Sequence, residues 1–166
     1  MNINKSLSMV SQKVKEYLEA EHTEGGLLED VKTIIQVSQD DAPIDEPSVW
    51  IVQHSTILDS NKKNLGHKAD LITPFEFVCL VYHPDLEESF RIGQDLATRV
   101  GSSILKNFMR NNKTADGERV FTKVDFQEFS PVGAVDIDGK SEKVSATSII
   151  FNFKHEIDWL KCCKKN

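Results

Sequence analysis

The residue types that most often carry chemistry are present in this chain, but not at spacings that define a site. None of its five histidines lies at a zinc-type spacing from another histidine or from a cysteine. Gly25-Gly26 precedes Leu-Leu-Glu rather than the Lys-Ser/Thr of a phosphate-binding loop, and no serine occupies a Gly-x-Ser-x-Gly elbow. We therefore expect no catalytic residue, no metal site and no cofactor. A site assembled from distant residues would leave no such signature.

Neighbouring carboxylates at three places in the sequence have a structural explanation. Glu87 and Glu88 fit the first turn of a helix, where acidic side chains favour the positive end of the helix dipole. Residues 136–139 read Asp-Ile-Asp-Gly, but a calcium loop needs a further acid before the glycine and a Glu at its end. A hairpin turn at Asp138-Gly139 explains that segment better. Residues 38–47 contain four acids and two prolines and are typical of a solvated loop.

The three cysteines indicate a reducing environment. Cys79 lies within an apolar run, where a free cysteine behaves as a small buried hydrophobe. Cys162 and Cys163 are adjacent and have no partner at metal or redox spacing. No apolar stretch approaches the roughly 20 residues of a membrane span, and the N-terminus lacks the apolar segment of a signal peptide. We expect a soluble cytosolic protein with reduced thiols.

Length and charge limit the remaining function classes. The 166 residues suit one domain, predicted at 1–160, with a frayed tail at 161–166. The net charge of -6, from 26 acidic and 20 basic residues, is opposite to that of a protein that grips phosphate backbones. An acidic domain past which nucleic acid slides without binding is still compatible with this charge.

The first third of the chain is predicted to form a helix and two strands. Apolar side chains recur at three- and four-residue steps over residues 4–21, as on one face of an amphipathic helix. Residues 31–37 are rich in β-branched side chains and favour a strand, although a short helix through Leu27, Leu28, Val31 and Ile35 is the alternative. Residues 48–58 predict a second strand, followed by an exposed connection at 59–66.

A long extended segment is predicted at residues 68–83. Pro74 cannot donate to a β-ladder, so we expect a bulge or break there. Residues 75–82 are almost continuously apolar, which is typical of a strand covered on both faces.

The strongest helix signal follows this strand. We expect Asp85 to cap the helix while Glu88 reaches back, as in a capping box. Apolar or small residues then recur at four- and three-residue steps from Leu86 to Phe108, which predicts a helix about 35 Å long. Gly93, Ala97 and Gly101 are small where this helix should meet a sheet.

Two alternating segments, 119–129 and 143–155, predict the last strands, separated by turns at 130–133 and 138–139. Ile149, Phe151 and Phe153 share one face of the last strand, and polar residues occupy the other. Because the helices are segregated from the strands, we predict an α+β fold. Its sheet is mainly antiparallel, with the N-terminal helix and the long helix packed on one face.

This order of elements resembles that of the tail-terminator (tail-completion, head–tail joining) proteins of phages and prophages. The similar stretch spans residues 75–153. It includes Phe-Glu-Phe-Val-Cys-Leu-Val-Tyr at 75–82, the helix at 86–109 and Ser-Ile-Ile-Phe-Asn-Phe at 148–153. The resemblance lies in pattern and element order.

The resemblance implies a structural virion protein. Such a protein forms a ring, often a hexamer, at the head-proximal end of the tail tube. It would contact its own copies, the tail-tube protein and the head-connector protein, while DNA passes through without specific binding. An acidic lumen would suit this role, and its candidate lining residues are Asp40, Asp41, Asp45 and Glu46. The candidate subunit-contact residues lie on the polar faces of the last strands: Lys123, Asp125, Gln127, Ser148, Asn152 and Lys154.

Two alternatives stay open at the level of sequence. One is a cytosolic α+β module that binds another protein, and the other is an enzyme with a scattered site. Neighbouring portal, tail-tube or tape-measure genes would favour the ring protein over both.

Overall fold

A computed structural model describes residues 3–37, 46–60, 66–135 and 144–158. These residues form an α+β fold of two helices and a mostly antiparallel sheet, as predicted. The helices are α1 (Ile3–Glu19) and α2 (Leu86–Asn111). The strands are β1 (Thr33–Gln36), β2 (Ser48–Gln53), β3 (Ile57–Leu58), β4 (Lys68–Val81), β5 (Lys123–Val135) and β6 (Val144–Asp158).

The sheet is built around two long strands. The strand order is β1-β2-β4-β6-β5. β2 and β3 pair with the same edge of β4, β3 near its beginning and β2 near its end. β1 and β2 are parallel, and all other pairs are antiparallel. β4 and β6 pair over their whole shared length, from Lys68 opposite Asp158 to Val81 opposite Ser145. Residues 33–36 form a strand, so the alternative short helix ending at Ile35 is wrong.

Pro74 does not break β4, contrary to the sequence-based expectation. Its carbonyl accepts a hydrogen bond from the His54 N–H at 3.0 Å, just beyond the end of β2. The N–H and C=O of one strand residue point to the same side, so the hydrogen that proline lacks would face the gap between β2 and β3. No ladder bond to β6 is lost. The predicted single strand at 48–58 is instead interrupted at this gap.

Both helices pack on one face of the sheet, as predicted. The side chains of β4 and β6 that face the helices are fully buried, including Phe75, Phe77, Phe151 and Phe153. Apolar residues of α1 and α2 complete this core, among them Val14, Leu18, Leu96, Ala97, Val100 and Ile104. Burying aromatic side chains of this size dominates the stability of such a core.

Asp85 caps α2, but the capping box is incomplete. The Asp85 carboxylate accepts hydrogen bonds from the backbone N–H groups of Glu87 (2.9 Å) and Glu88 (3.3 Å). Glu88 does not reach back, because its carboxylate accepts from Arg91 at 2.9 Å. The Asp85 N–H donates instead to Nδ1 of His83 at 3.1 Å. A histidine side chain therefore performs the role expected of Glu88.

α2 lies unusually close to β6 because glycine occupies the contact positions. A Cβ at Gly93 would lie 2.9 Å from Thr147 Oγ1, and one at Gly101 would lie 3.1 Å from Ile149 Cδ1 and 3.4 Å from Phe151 Cζ. Small residues at these positions let the helix backbone approach the sheet, as the sequence predicted. Asn107 of α2 donates to the Tyr17 carbonyl of α1 at 3.1 Å. Lys106 and Asn107 also donate to the buried carboxylate of Glu21, in the turn after α1, at 2.8 and 3.2 Å.

β5 is longer than predicted, and the expected turn at residues 130–133 is wrong. The strand continues through this segment with two register shifts, which leave Gln127 and Val132 as extra residues. The second shift is possible because Gly133 adopts a φ of +102°, a conformation that other residues rarely adopt. The sequence at residues 130–133, which is typical of a turn, therefore forms a β-bulge. A turn and a bulge both favour a residue such as glycine that can adopt a positive φ. The predicted hairpin turn at 138–139 lies outside the described residues.

The sheet face opposite the helices is less polar than predicted. Leu80, Val144 and Ala146 are buried there, and Trp50 and Val78 pack against them. Further along the same face the residues become polar, beginning with Glu76 of β4 and Asn152 of β6.

Candidate assembly surface

The longest exposed edge of the sheet is strand β5. Among the described residues it pairs with β6 alone, so its other backbone edge has no strand beside it. Three of its large apolar side chains are exposed: Phe126 at 58%, Phe129 at 39% and Val132 at 54%. Exposed apolar side chains clustered on one element mark sites of interaction more often than scattered ones do.

The two phenylalanines lie beside α2 on the helix side of the sheet. Phe126 is opposite Phe151 and Phe129 is opposite Ile149 in the β5–β6 register. The Phe126 and Phe151 rings make an edge-on contact, with centroids 5.8 Å apart. Phe151 and Ile149 also lie directly beneath Gly101, so the two β5 aromatics lie next to the line along which α2 contacts β6.

α2 contributes two further exposed apolar residues to this region. Leu105 and Met109 follow Gly101 by one and two helical turns and are both exposed. They lie on the opposite flank of the helix from Asn107, which bonds to α1. We call Leu105, Met109, Phe126, Phe129 and Val132 together the α2–β5 surface.

The backbone of β5 is less suited than its side chains to contact another chain. Bulges at Gln127 and Val132 interrupt the regular ladder, and Pro131 has no N–H to donate. Bulges and proline are devices that discourage the addition of a further strand at a sheet edge. The side chains of this edge are therefore better suited to contact another chain than its backbone is.

A second pair of exposed apolar residues lies on a strand that pairs with β4 along the edge facing away from β6 and β5. Ile57 and Leu58 form the whole of β3 and are 56% and 55% exposed. Their neighbours are fixed: the Thr56 and Thr73 hydroxyls are 2.8 Å apart, and the buried Asp59 accepts from Lys154 Nζ at 3.2 Å. Asp59 was expected in an exposed connection; its burial shows that the connection begins after it.

The predicted contact residues have different environments in the structure. Lys123 and Gln127 are exposed on β5, while Asp125 forms an ion pair with Lys123 at 2.7 Å. Asn152 and Lys154 are half-buried on β6. Ser148 is buried and donates its hydroxyl to Glu76 at 2.5 Å, so it is not available at the surface. Sequence alternation placed Ser148 on the correct face but could not reveal that this end of the face is covered.

Of the four candidate lumen acids, Glu46 alone is among the described residues. It is half-buried and lines a cleft together with Asp30, Lys32, Tyr82 and Arg99. Two hydrogen bonds from Arg99, at 2.6 and 3.1 Å, hold the pKa of Asp30 below its usual value. Asp40, Asp41 and Asp45 lie outside the described residues.

Glu76 of β4 has partners on both sides. Its carboxylate contacts the Ser148 hydroxyl of β6 at 2.5 Å and Nε2 of His54, one residue beyond β2, at 3.0 Å. This order differs from a hydrolase triad, in which the histidine contacts the hydroxyl. Within the described ranges, no three His, Cys, Asp or Glu side chains are grouped so that they could hold a metal ion.

Two buried groups have strongly shifted pKa values. Burial lowers the pKa of His155 to about 4; its Nε2 lies 3.0 Å from the Thr73 hydroxyl. Burial also raises the pKa of the Cys79 thiol to about 12. Both shifts disfavour the charged form, as expected for groups taken out of water.

Neither helix in the described part of the chain is both long enough and apolar enough to cross a membrane. In comparisons with known proteins, no family model matches the chain. No curated protein is significantly similar to it in sequence either.

Proposed function

We propose that this chain is a structural virion protein that forms a tail-terminator-like ring. The ring, a hexamer of identical copies, caps the head-proximal end of a phage or prophage tail tube and joins it to the head. The observation that carries this proposal is the α2–β5 surface, which leaves the apolar residues Phe126, Phe129 and Val132 exposed. Their strand has β6 as its one neighbouring strand in the described part of the chain. Covering such a surface with another protein chain removes apolar area from water.

The arrangement of elements also supports the proposal. A ring needs a heterologous contact, in which two different surfaces of the same chain meet and the rotation between copies closes. The sheet has exposed apolar side chains at two separate places, β3 and β5, rather than at one.

The charge of the chain suits a passage for DNA. At a net charge of -6 the protein repels phosphate backbones on average, so DNA slides through instead of binding. The ring contacts the tail-tube protein on one side and the head-connector protein on the other. The chain carries out this role without a cofactor and without catalysis.

The test is to mix the protein at high concentration with the tail-tube protein encoded beside it and to image the tubes. We expect rings at tube ends and a narrower distribution of tube lengths. A chain that stays monomeric, leaves tube ends bare and does not limit tube length would contradict the proposal. A binding module using the same surface would have no reason to recognise a tube end.

A pair of variants makes the test specific. Phe126→Ser with Phe129→Ser should abolish ring formation and capping, since both side chains are exposed. Because Phe126 also contacts the buried ring of Phe151, a thermal melt checks that the double variant is folded. Glu24→Ser is the control, because Glu24 is exposed in the turns after α1, on the flank of α2 away from β5. Capping by the double serine variant at the wild-type level would show that the α2–β5 surface is not used.

A further inference from the structure

Positive charge is concentrated at the end of the molecule where α2 stops. A cleft of about 410 Å³ opens there between α1 and α2. Among the described residues that line it, Glu16 alone is acidic, although the chain as a whole carries a net charge of -6. We call this feature the basic cleft, and its charged lining residues are Lys13, Glu16, Arg110 and Lys113.

A fourth cation, Arg119, lies beside Lys113. The two residues form an antiparallel bridge, so their side chains leave the same face of the hairpin with Cβ atoms about 5 Å apart. Thr114 holds this geometry, since its N–H donates to the Glu118 carbonyl at 2.8 Å and its hydroxyl accepts from the Glu118 N–H at 3.1 Å. Like charges directly opposite each other destabilise a pair of strands. The fold therefore keeps two cations together although their repulsion lowers its stability.

Three of the four cations are not neutralised within the described part of the chain. Lys13 donates to the Glu16 carboxylate at 2.5 Å. Arg110, Lys113 and Arg119 are exposed, and no described residue forms an ion pair with them. Arg110 lies in the last turn of α2, where the helix dipole favours a cation, but Arg119 lies well beyond the helix. Helix electrostatics therefore do not account for the whole cluster.

The elements on the two sides of the basic cleft are tied together by the buried Asn112. Its side-chain amide donates to the Phe121 carbonyl at 2.7 Å, and its side-chain oxygen accepts from the Phe121 N–H at 2.8 Å. The Tyr17 hydroxyl of α1 donates to the same oxygen at 3.3 Å. The cleft is therefore formed before any partner arrives, which lowers the entropy lost on binding.

We propose that the basic cleft binds an acidic segment of another protein, whose carboxylates pair with Arg110, Lys113 and Arg119. Carboxylates in this position supply the negative charge that the cluster lacks, and they offset the repulsion between Lys113 and Arg119. This inference goes beyond the proposed ring and does not depend on it.

DNA is the competing ligand, because phosphates also pair with arginine and lysine. Duplex DNA carries one negative charge about every 1.7 Å and would extend past both ends of the cleft. Exposed acids border the cleft, with Glu19 next to the lining residue Ala20 and Asp116 in the turn after Lys113. A continuous line of phosphates would meet these acids, whereas a few carboxylates on a short protein segment fit between them. The distribution of charge therefore favours a protein ligand.

Fluorescence anisotropy with a labelled decaglutamate peptide tests the site. Arg110→Gln with Lys113→Gln should weaken binding at low salt about fivefold, because two exposed charge pairs are lost. Lys15→Gln with Lys32→Gln is the matched control, since it removes the same charge from two residues outside the cleft. It should change the affinity by less than about twofold, because screened charges at a distance contribute little.

Three outcomes of this experiment would overturn the inference. One is equal weakening in the two double variants, and another is a peptide that does not bind the wild type. The third is a cleft variant that loses affinity for duplex DNA and keeps its affinity for decaglutamate, since this would identify the ligand as nucleic acid.

A single substitution separates binding from folding. Lys113→Glu places an opposite charge across from Arg119, so the melting temperature of the free protein should rise. The same substitution should weaken the binding of decaglutamate, because it removes a cation from the cleft and adds an acid. A residue with a purely structural role would not show this opposition between stability and binding. Unchanged binding, or a lower melting temperature, would remove the basis for the site.

Discussion

Gly93 of α2 lies directly over Thr147 of β6, so closely that a Cβ at position 93 would be 2.9 Å from the threonine hydroxyl oxygen. That hydroxyl is buried and has no hydrogen-bond partner of its own. The contact fixes the height of the long helix above the sheet. It thereby also determines how far α2 stands from the aromatics of β5.

This relationship predicts a coupled effect of two substitutions. Gly93→Ala should lower the free energy of unfolding by about 1–3 kcal/mol, because overpacking outweighs the gain in helix propensity. In a Thr147→Ala background the same change should be neutral or stabilising, since the clashing hydroxyl is gone. Urea unfolding of the four proteins measures the coupling. Equal effects of Gly93→Ala in both backgrounds would contradict the close approach.

The packing of α2 predicts that a new charge lowers the stability of the fold at one residue of a helical turn and has little effect at the next. Ala97 is fully buried against the sheet, whereas Thr98 beside it is exposed. Ala97→Asp should therefore destabilise the fold by about 4 kcal/mol, because it buries an unpaired charge. Thr98→Asp is the matched control and should change stability by less than about 1 kcal/mol. Thermal melts compare the two, and similar midpoints would mean that this face of α2 is not buried.

Much of the fold followed from local pattern. The helices, the central strands and the helix-facing side of β6 were predicted because their apolar residues repeat at helical or strand spacing over many residues. The errors at Pro74 and at residues 130–133 share one cause. Proline and glycine mark places where the backbone departs from a ladder, but the neighbouring strand decides whether the result is a turn, a bulge or no change.

The candidate assembly surface could be predicted less well from the sequence. Phe126 alternates correctly with its neighbours, yet it is exposed because β5 ends the strand order of the described sheet and α2 lies over β6. The exposed pair Ile57 and Leu58 follows from where β2 ends and β3 begins, which no local pattern specifies. The exposure of Phe126 and that of Ile57 and Leu58 therefore depend on how distant segments pack together, and not on residue type alone.

The thiol of Cys79 should be inert in the native protein. Its pKa of about 12 leaves almost no thiolate at neutral pH, and the side chain is fully buried in the helix-facing core. Titration with a thiol reagent in denaturant should detect all three cysteines of the chain as free. In native buffer, mass spectrometry should find the peptide of Cys79 unlabelled. Rapid native labelling of Cys79 would show that β4 is not central to the core.

His155 should make the fold less stable in mild acid. Its pKa is about 4 in the folded protein, below its ordinary value of 6.5, because burial disfavours the charged ring. The unfolded chain therefore binds more protons between these values, and the free energy of unfolding falls as the pH is lowered through this window. The loss amounts to about 3 kcal/mol and levels off below pH 4.

Substitution separates His155 from the other groups that titrate in acid. Gln in place of His155 offers a neutral group to the Thr73 hydroxyl, and the second ring nitrogen, Nδ1, has no partner to lose. Carboxylic acids as a class take up protons mainly below pH 5, so the interval from pH 6.5 to 5 reports on the histidine. Urea unfolding at several pH values in this interval should give a falling stability for the wild type and a nearly constant one for His155→Gln. If both proteins lose stability in parallel, then proton uptake by His155 is not the cause.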